Sequence, residues 1–78
     1  MGRQRLETLT AVANAVRVLG ERIRAHRRAR GLTIVELADQ LHMSPTTLSA
    51  IERGSLDASI GRTFTVAAAL GMPLLPPE

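Results

Sequence analysis

The sequence predicts an all-α fold, a compact bundle of four or five helices. Along most of the chain, apolar residues recur at steps of three and four, which is the spacing of a helix with one buried face. Residues that favour helix N-caps precede several of these stretches, and glycines follow them. These two patterns indicate helices through the body of the chain.

The N-terminal part of the chain predicts one long helix or two. Residues 6–30 contain no proline, and five apolar residues form a stripe at helical spacing. Glycine at a central helical position is about 1 kcal/mol less favourable than alanine, so we expect a break or bend at Leu19 and Gly20. The stripe consists of Leu9, Val12, Val16, Leu19 and Ile23.

The middle of the chain predicts two short helices joined by a tight turn. Thr33 is a candidate N-cap with Glu36 three residues on, the capping-box spacing. Ser44 is a second candidate N-cap, and Pro45 follows it at the first helical position, where its missing N–H is not needed. Gly54 stands where a left-handed residue ends the second helix. This pair of helices is a helix-turn-helix motif.

A further helix is expected between Ser59, a third candidate N-cap, and Gly71. Prolines surround the residues after Gly71, so residues 72–78 are expected to form a short extended tail. The apolar residues expected to face the core of the three later helices are Ile34, Leu37, Ala38, Leu41, Leu48, Ile51, Ile60, Phe64, Val66, Ala67 and Leu70.

Length and composition limit the class of protein. A chain of 78 residues makes one domain whose core is only marginally stable alone, which favours dimerisation. There is no Cys, so nothing requires an oxidising compartment, and we expect a cytoplasmic protein. Charged and polar residues interrupt the N-terminal apolar stretch, so neither a signal peptide nor a membrane span is predicted.

The distribution of charge points to a polyanionic partner. The formal net charge is only +3, but all 10 cationic residues are Arg, and most of them lie in the first thirty positions. Alone, such a run is more often a solvated helix face; beside a helix-turn-helix motif it favours the DNA backbone. With one Phe, no Tyr and no Trp, base-stacking platforms for single strands or RNA are disfavoured, which leaves duplex DNA.

Residues 19–71 resemble the phage repressor/Cro family of helix-turn-helix domains, also called the xenobiotic-response-element family. The resemblance implies a lambda-repressor-like bundle that binds double-stranded DNA as a homodimer. It divides the chain into an N-terminal helical extension (1–18), the helix-turn-helix domain (19–71) and the tail (72–78). The residues that carry it are Leu19-Gly20, Ile23-Arg24, Arg27, Gly31-Leu32-Thr33, Glu36-Leu37-Ala38, Ser44, Leu48-Ser49, Ile51-Glu52-Arg53-Gly54, Ser59 and Ala69-Leu70-Gly71.

The resemblance makes residues 44–53 the recognition helix, whose early side chains would meet base edges in the major groove. The base-contacting residues it implies are Pro45, Thr46, Ser49 and Ala50. Pro45 stands where many relatives have a long polar residue, and it cannot form a bidentate hydrogen-bonded pair with a base. We therefore expect direct readout to be limited, with specificity modest or based on DNA shape.

Phosphate contacts are expected from four residues near the ends of the two helices: Thr33, Thr47, Arg53 and Ser55. For Thr47, a purely local hydrogen bond within the helix is an equally good interpretation. Ile34 departs from the polar residue that relatives often have there, which weakens the contact at the start of the first helix.

Two further positions carry structural expectations from the resemblance. His42 replaces the Gly common in the turn, so a non-glycine residue must adopt a positive φ there. Arg27 and Glu52 are expected to form an ion pair that ties the first helix to the recognition helix. Such a pair is structural, and removing one partner would strand a charge at a cost of around 3 to 5 kcal/mol in a dry site.

No catalytic or cofactor site is predicted. His26 and His42 have no Cys beside them and do not form a metal cluster. No His or Lys is placed to activate a Ser or Thr hydroxyl, and capping or DNA contact explains these hydroxyls more simply. The arginines near Gly20 lack the glycines and the lysine of a phosphate-binding loop. We expect neither an enzyme nor a cofactor.

Two functions fit the pattern. The first is a transcriptional regulator, a dimeric repressor that reads a palindromic operator. The second is an antitoxin similar to the HipB type, which binds a toxin protein, autoregulates its operon and uses the apolar residues 72–75 as a strand. In the extension, Leu6, Leu9, Val12 and Val16 leave an apolar stripe that must pack on the domain itself, on a second protomer or on a partner.

Overall fold

The computed structural model describes residues 2–74 and contains four α-helices. They are α1 (Gly2–Ala29), α2 (Ile34–Gln40), α3 (Pro45–Glu52) and α4 (Ile60–Ala69). The described residues contain no strand, so the prediction of an all-α bundle is confirmed. None of these helices combines the length and the apolar character needed to cross a membrane.

Helix α1 runs without interruption through Gly20, so the expected break at Leu19 and Gly20 is wrong. The glycine serves packing instead. A Cβ atom at Gly20 would lie 2.6 Å from the carbonyl oxygen of Glu52 and 2.7 Å from that of Ile51. Only a residue without a side chain allows α1 to approach the end of α3 this closely.

A second glycine makes the same approach from the other side. A Cβ at Gly54 would lie 2.6 Å from the Cα of Arg17, and Gly54 also has the positive φ of 75° expected of a residue that ends a helix. Gly20 and Gly54 together let the backbones of α1 and the α3 C-terminus touch. The direction of α1 relative to α3 is therefore set by backbone contact.

The predicted helix starts are confirmed. Thr33 caps α2 in a complete capping box, in which its hydroxyl accepts from the N–H of Glu36 and the Glu36 carboxylate accepts from the N–H of Thr33. Ser44 caps α3, with Pro45 at the first position, and Ser59 caps α4. Helices α2 and α3 therefore begin at the residues that the sequence predicts.

The turn between α2 and α3 contains the strained residue that the sequence predicts. His42 has a φ of 56°, and it is the single non-glycine residue with positive φ among residues 2–74. The turn closes through hydrogen bonds from the N–H of His42 to Asp39 and from that of Met43 to Ala38. The positive φ at His42 lets the chain reverse sharply between α2 and α3, and both helices bury apolar residues in the core.

All four helices contribute to a single core. Its centre is formed by Ile23 of α1, Leu48 of α3 and Val66 of α4, each with no exposed surface. Met72 is buried beside them, which the sequence analysis did not predict for a tail residue, and its N–H donates to the carbonyl of Ala67. The remaining buried apolar residues are Leu37, Ala38, Ile51, Ala67 and Leu70.

The expected burial of Ile60 and Phe64 is wrong. On α4, Ile60 is 71% exposed and Phe64 is 40% exposed. The buried residues Val66, Ala67 and Leu70 lie in the C-terminal half of the helix, whereas Ile60 is its first residue and Phe64 lies to one side of the buried face. On α1, Leu9 and Val12 are exposed, because the helix extends beyond the bundle before it reaches Arg17. Leu6, Leu9 and Val12 therefore do not pack on their own domain, whereas Val16 is half-buried. The end of the proposed strand, Leu75, lies outside the described residues.

Replacing Gly20 by Ala tests the backbone contact between α1 and α3. Helix propensity favours Ala by about 1 kcal/mol, but the added methyl group collides with two carbonyl groups of α3, and overpacking of this kind costs about 1 to 3 kcal/mol. We expect Gly20→Ala to lower the free energy of unfolding measured by urea denaturation. Gly61→Ala is the matched control, since its Cβ would meet only Ser59 Oγ at 3.7 Å. A stabilised Gly20→Ala protein would contradict this account.

Candidate nucleic-acid interface

Helix α3 presents one side to solvent and buries the other. Leu48, Ile51 and Glu52 face the interior, whereas Pro45 and Thr46 at the start of the helix are exposed. Ser44, which caps α3, is exposed as well, so the helix begins at the surface of the bundle. A helix held in this way can enter the major groove of B-DNA, which is about 12 Å wide.

The α1–α3 cleft lies along one side of α3 and has a volume of about 560 Å³. Residues of α1 and α3 form most of its lining, and the first residue of α2 also contributes. Of the expected DNA-contacting residues, Ser49 and Arg53 lie on this side. The lining residues are Arg17, Glu21, Arg24, Arg27, Ile34, Ser49, Glu52 and Arg53.

Ser49 and Arg53 are joined by a contact that the sequence analysis missed. The Arg53 guanidinium donates a hydrogen bond of 2.7 Å to the Ser49 hydroxyl, one helical turn away. Spacing of four residues within a helix was the available signal. The bond holds the cation against the exposed side of α3, and it leaves the Ser49 O–H free to donate to a ligand.

A second groove, the α3–α4 groove, lies on the other side of α3 and has a volume of about 250 Å³. Four of the expected contact residues line it: Thr46, Thr47, Ala50 and Ser55. Six of the eight expected residues thus line one of the two grooves, whereas Pro45 and Thr33 line neither. The other lining residues are Asp57, Ala58, Ser59 and Arg62.

Hydroxyl groups near the helix starts already have partners within the chain. Ser44 Oγ accepts from the N–H of Thr47 and donates to Thr47 Oγ1 at 2.8 Å, so Thr47 has the local hydrogen bonds that were one of its two interpretations. Thr33 is engaged with Glu36, and the hydrogen bond from its backbone N–H lowers the pKa of that carboxyl group. A negative charge therefore lies beside Thr33.

Arg27 and Glu52 form a buried, bidentate ion pair between α1 and α3. Arg27 Nε lies 2.6 Å from Glu52 Oε2, and Arg27 Nη2 lies 3.0 Å from Oε1. The third donor, Nη1, bonds the carbonyl of Leu32 at 2.7 Å. The side-chain hydrogen bonds to Glu52 raise the pKa of Arg27 above its ordinary value. The pair connects α1, α3 and the loop before α2.

The arginines near the end of α1 do not form a single basic patch. A helix rotates by about 100° per residue, so Arg24 and Arg28, four residues apart, lie on one side of α1, whereas Arg22 lies on roughly the opposite side. Arg30 has a structural task that the sequence analysis missed, since it donates to the carbonyl oxygens of Ala69 and Leu70 at the end of α4. There it satisfies carbonyls that the helix leaves unpaired.

The fold and the capped, surface-exposed α3 define a helix-turn-helix domain. The family model for a helix-turn-helix domain matches residues 18–74, and the chain belongs to this family. An immunity repressor protein of Bacillus phage phi105 is 41% identical over 54 residues, which cover 69% of this chain and 38% of that relative. The resemblance to phage repressors is thereby confirmed. No solved structure gives a significant match.

Breaking the buried ion pair should destabilise the domain strongly. Arg27→Ala leaves the Glu52 carboxylate buried without its partner, which costs about 3 to 5 kcal/mol. We expect a large fall in melting temperature, followed by circular dichroism. Arg3→Ala is the matched control on the same helix, because the Arg3–Glu7 pair is exposed and should contribute less than about 1 kcal/mol. If both variants melted alike, the buried pair would have no special structural role.

Proposed function

We propose that this chain is a transcriptional regulator, a repressor that binds double-stranded DNA with α3 in the major groove. The observation that carries the proposal is the exposed face of α3, bordered by a groove on each side, in a chain of the helix-turn-helix family. The likeness to a phage immunity repressor supports repression as the regulatory outcome.

Base readout on this face would be limited. Pro45 and Thr46 are the exposed residues of the first turn, and Ser49 and Ala50 are half-buried. None of the four has a long side chain with two hydrogen-bonding groups, so the strongest base-specific pairs are not available to them. Thr46 and Ser49 would bond base edges singly, and Pro45 and Ala50 would contact thymine methyl groups. Recognition would then also depend on DNA shape.

Phosphates on both strands would supply most of the affinity. On the α3–α4 groove side, Ser55 and Thr47 would contact one strand, with Arg62 nearby as a cation. On the side of the α1–α3 cleft, Arg53 would contact the other strand, and the Thr33 hydroxyl keeps a donor for the same purpose. The negative charge of Glu36 would repel a phosphate bound at Thr33, so that contact should be the weakest of the four.

The salt dependence of duplex binding tests the DNA proposal directly. Only cationic contacts release counterions, and Arg53 and Arg62 supply two per protomer, so a dimer should lose affinity with a slope of about −4 in a plot of log K against log salt concentration. Fluorescence anisotropy with a labelled duplex measures this slope. The matched control is single-stranded DNA of equal length, which should bind more weakly because a chain with one aromatic residue offers little base stacking. Failure to bind any duplex at low salt would refute the proposal.

We further propose that the regulator acts as a homodimer on a palindromic operator, and that the extension in α1 contributes to the dimer. Leu6, Leu9 and Val12 are 66%, 53% and 48% exposed. They form a continuous apolar stripe on a helix that extends beyond the bundle, and a core this small gains stability from a second chain. The observed packing gives the antitoxin alternative no comparable support, since Met72 of the proposed strand is buried in its own core.

Substitution of the stripe separates dimerisation from folding. Because Leu9 and Val12 are exposed in one protomer, the double variant Leu9→Ser, Val12→Ser should keep its helical circular dichroism while its sedimentation coefficient shifts from dimer to monomer. Val35→Ser is the control, since Val35 is 63% exposed on α2, away from the extension. An unchanged dimer in the double variant would show that the extension is not part of the interface.

A further inference from the structure

The α1–α3 cleft has a charge pattern that α3 alone does not explain. Four guanidinium groups and two carboxylates line it, which leaves a formal charge of +2. The carboxylates are both neutralised in place: Glu52 is paired with the buried Arg27, and Glu21 is paired with Arg17 at 2.8 Å. The excess positive charge of the cleft therefore belongs to Arg24 of α1 and Arg53 of α3.

Arg24 and Arg53 are both accessible to a ligand. Each is exposed, and among residues 2–74 neither forms a salt bridge with a carboxylate. Arg53 is held in position by its hydrogen bond to Ser49, whereas Arg24 extends from the opposite wall of the cleft. Two unneutralised guanidinium groups that face one open space favour an anion with several acceptor oxygens.

The floor of the cleft is rigid. The buried pair of Arg27 and Glu52 lies beneath it, and the contact of Gly20 with the end of α3 fixes the spacing of the two walls. The distance between the two cationic walls is thus set by packing and does not depend on flexible loops. A site that is already organised loses less entropy when it binds its ligand.

We propose that the α1–α3 cleft binds a phosphate group of the DNA backbone between Arg24 and Arg53, so that α1 takes part in DNA binding. This inference rests on the proposed function. A helix inserted in the major groove has a phosphate backbone on each side, and the cleft borders α3 on one of these sides. Arg17, about 10 Å before Arg24 along the same helix, is already paired with Glu21, so the site depends on Arg24 and Arg53.

The test compares two arginines of α1 that differ in direction. Arg24→Gln and Arg22→Gln remove the same charge from exposed positions two residues apart, but the two side chains point about 200° apart around the helix, and only Arg24 lines the cleft. Binding of each variant of the 78-residue chain to two labelled duplexes of unrelated mixed sequence is measured by anisotropy at several salt concentrations. The circular dichroism melt of each variant verifies its fold.

We expect Arg24→Gln to weaken binding to both duplexes by a similar factor, about 5- to 10-fold, and to make the salt slope shallower by about 1 per protomer. Arg22→Gln should keep the wild-type slope. If the two variants behave alike while the wild-type protein binds DNA, the phosphate site at the cleft is refuted and the proposed function stands. If the wild-type protein binds no duplex, both proposals fall together.

Discussion

The buried ion pair between Arg27 and Glu52 is the interaction on which the rest of the structure depends. Its two hydrogen bonds join α1 to α3, and a third bond from Arg27 reaches the carbonyl of Leu32 in the loop that leads to α2. Three elements thus share one guanidinium group. Because both charges are almost fully removed from water, any shift of α1 relative to α3 would leave an unpaired charge in a small core.

Close backbone contact strengthens the same junction. Gly20 lies against the carbonyl groups at the end of α3, and Gly54 lies against the backbone of Arg17. Side chains at either position would push the helices apart and lengthen the distance across which Arg27 and Glu52 must bond. The two glycines and the ion pair therefore fix one geometry, and that geometry also sets the width of the cleft between α1 and α3.

The fixed junction has a consequence for DNA binding. Leu48 and Ile51 pack helix α3 against the core, so that its exposed side keeps one orientation. The short side chains on that side limit base-specific hydrogen bonding, and the surrounding cations and hydroxyls lie in two separate grooves. In the proposed complex, position on the duplex would be determined mainly by the phosphate backbone.

The sequence by itself determined the helix starts, the positive φ at His42 and the helix-turn-helix motif, because caps and turns depend on residues close together in the chain. Only the tertiary structure decided the role of Gly20, the exposure of Ile60 and Phe64, and the burial of Met72. Helix propensity predicted a break at Gly20, but contact with α3 overrides a local cost of about 1 kcal/mol. The bond from Arg53 to Ser49 and the position of Arg24 and Arg53 in one cleft also depend on side-chain placement, which periodicity does not specify.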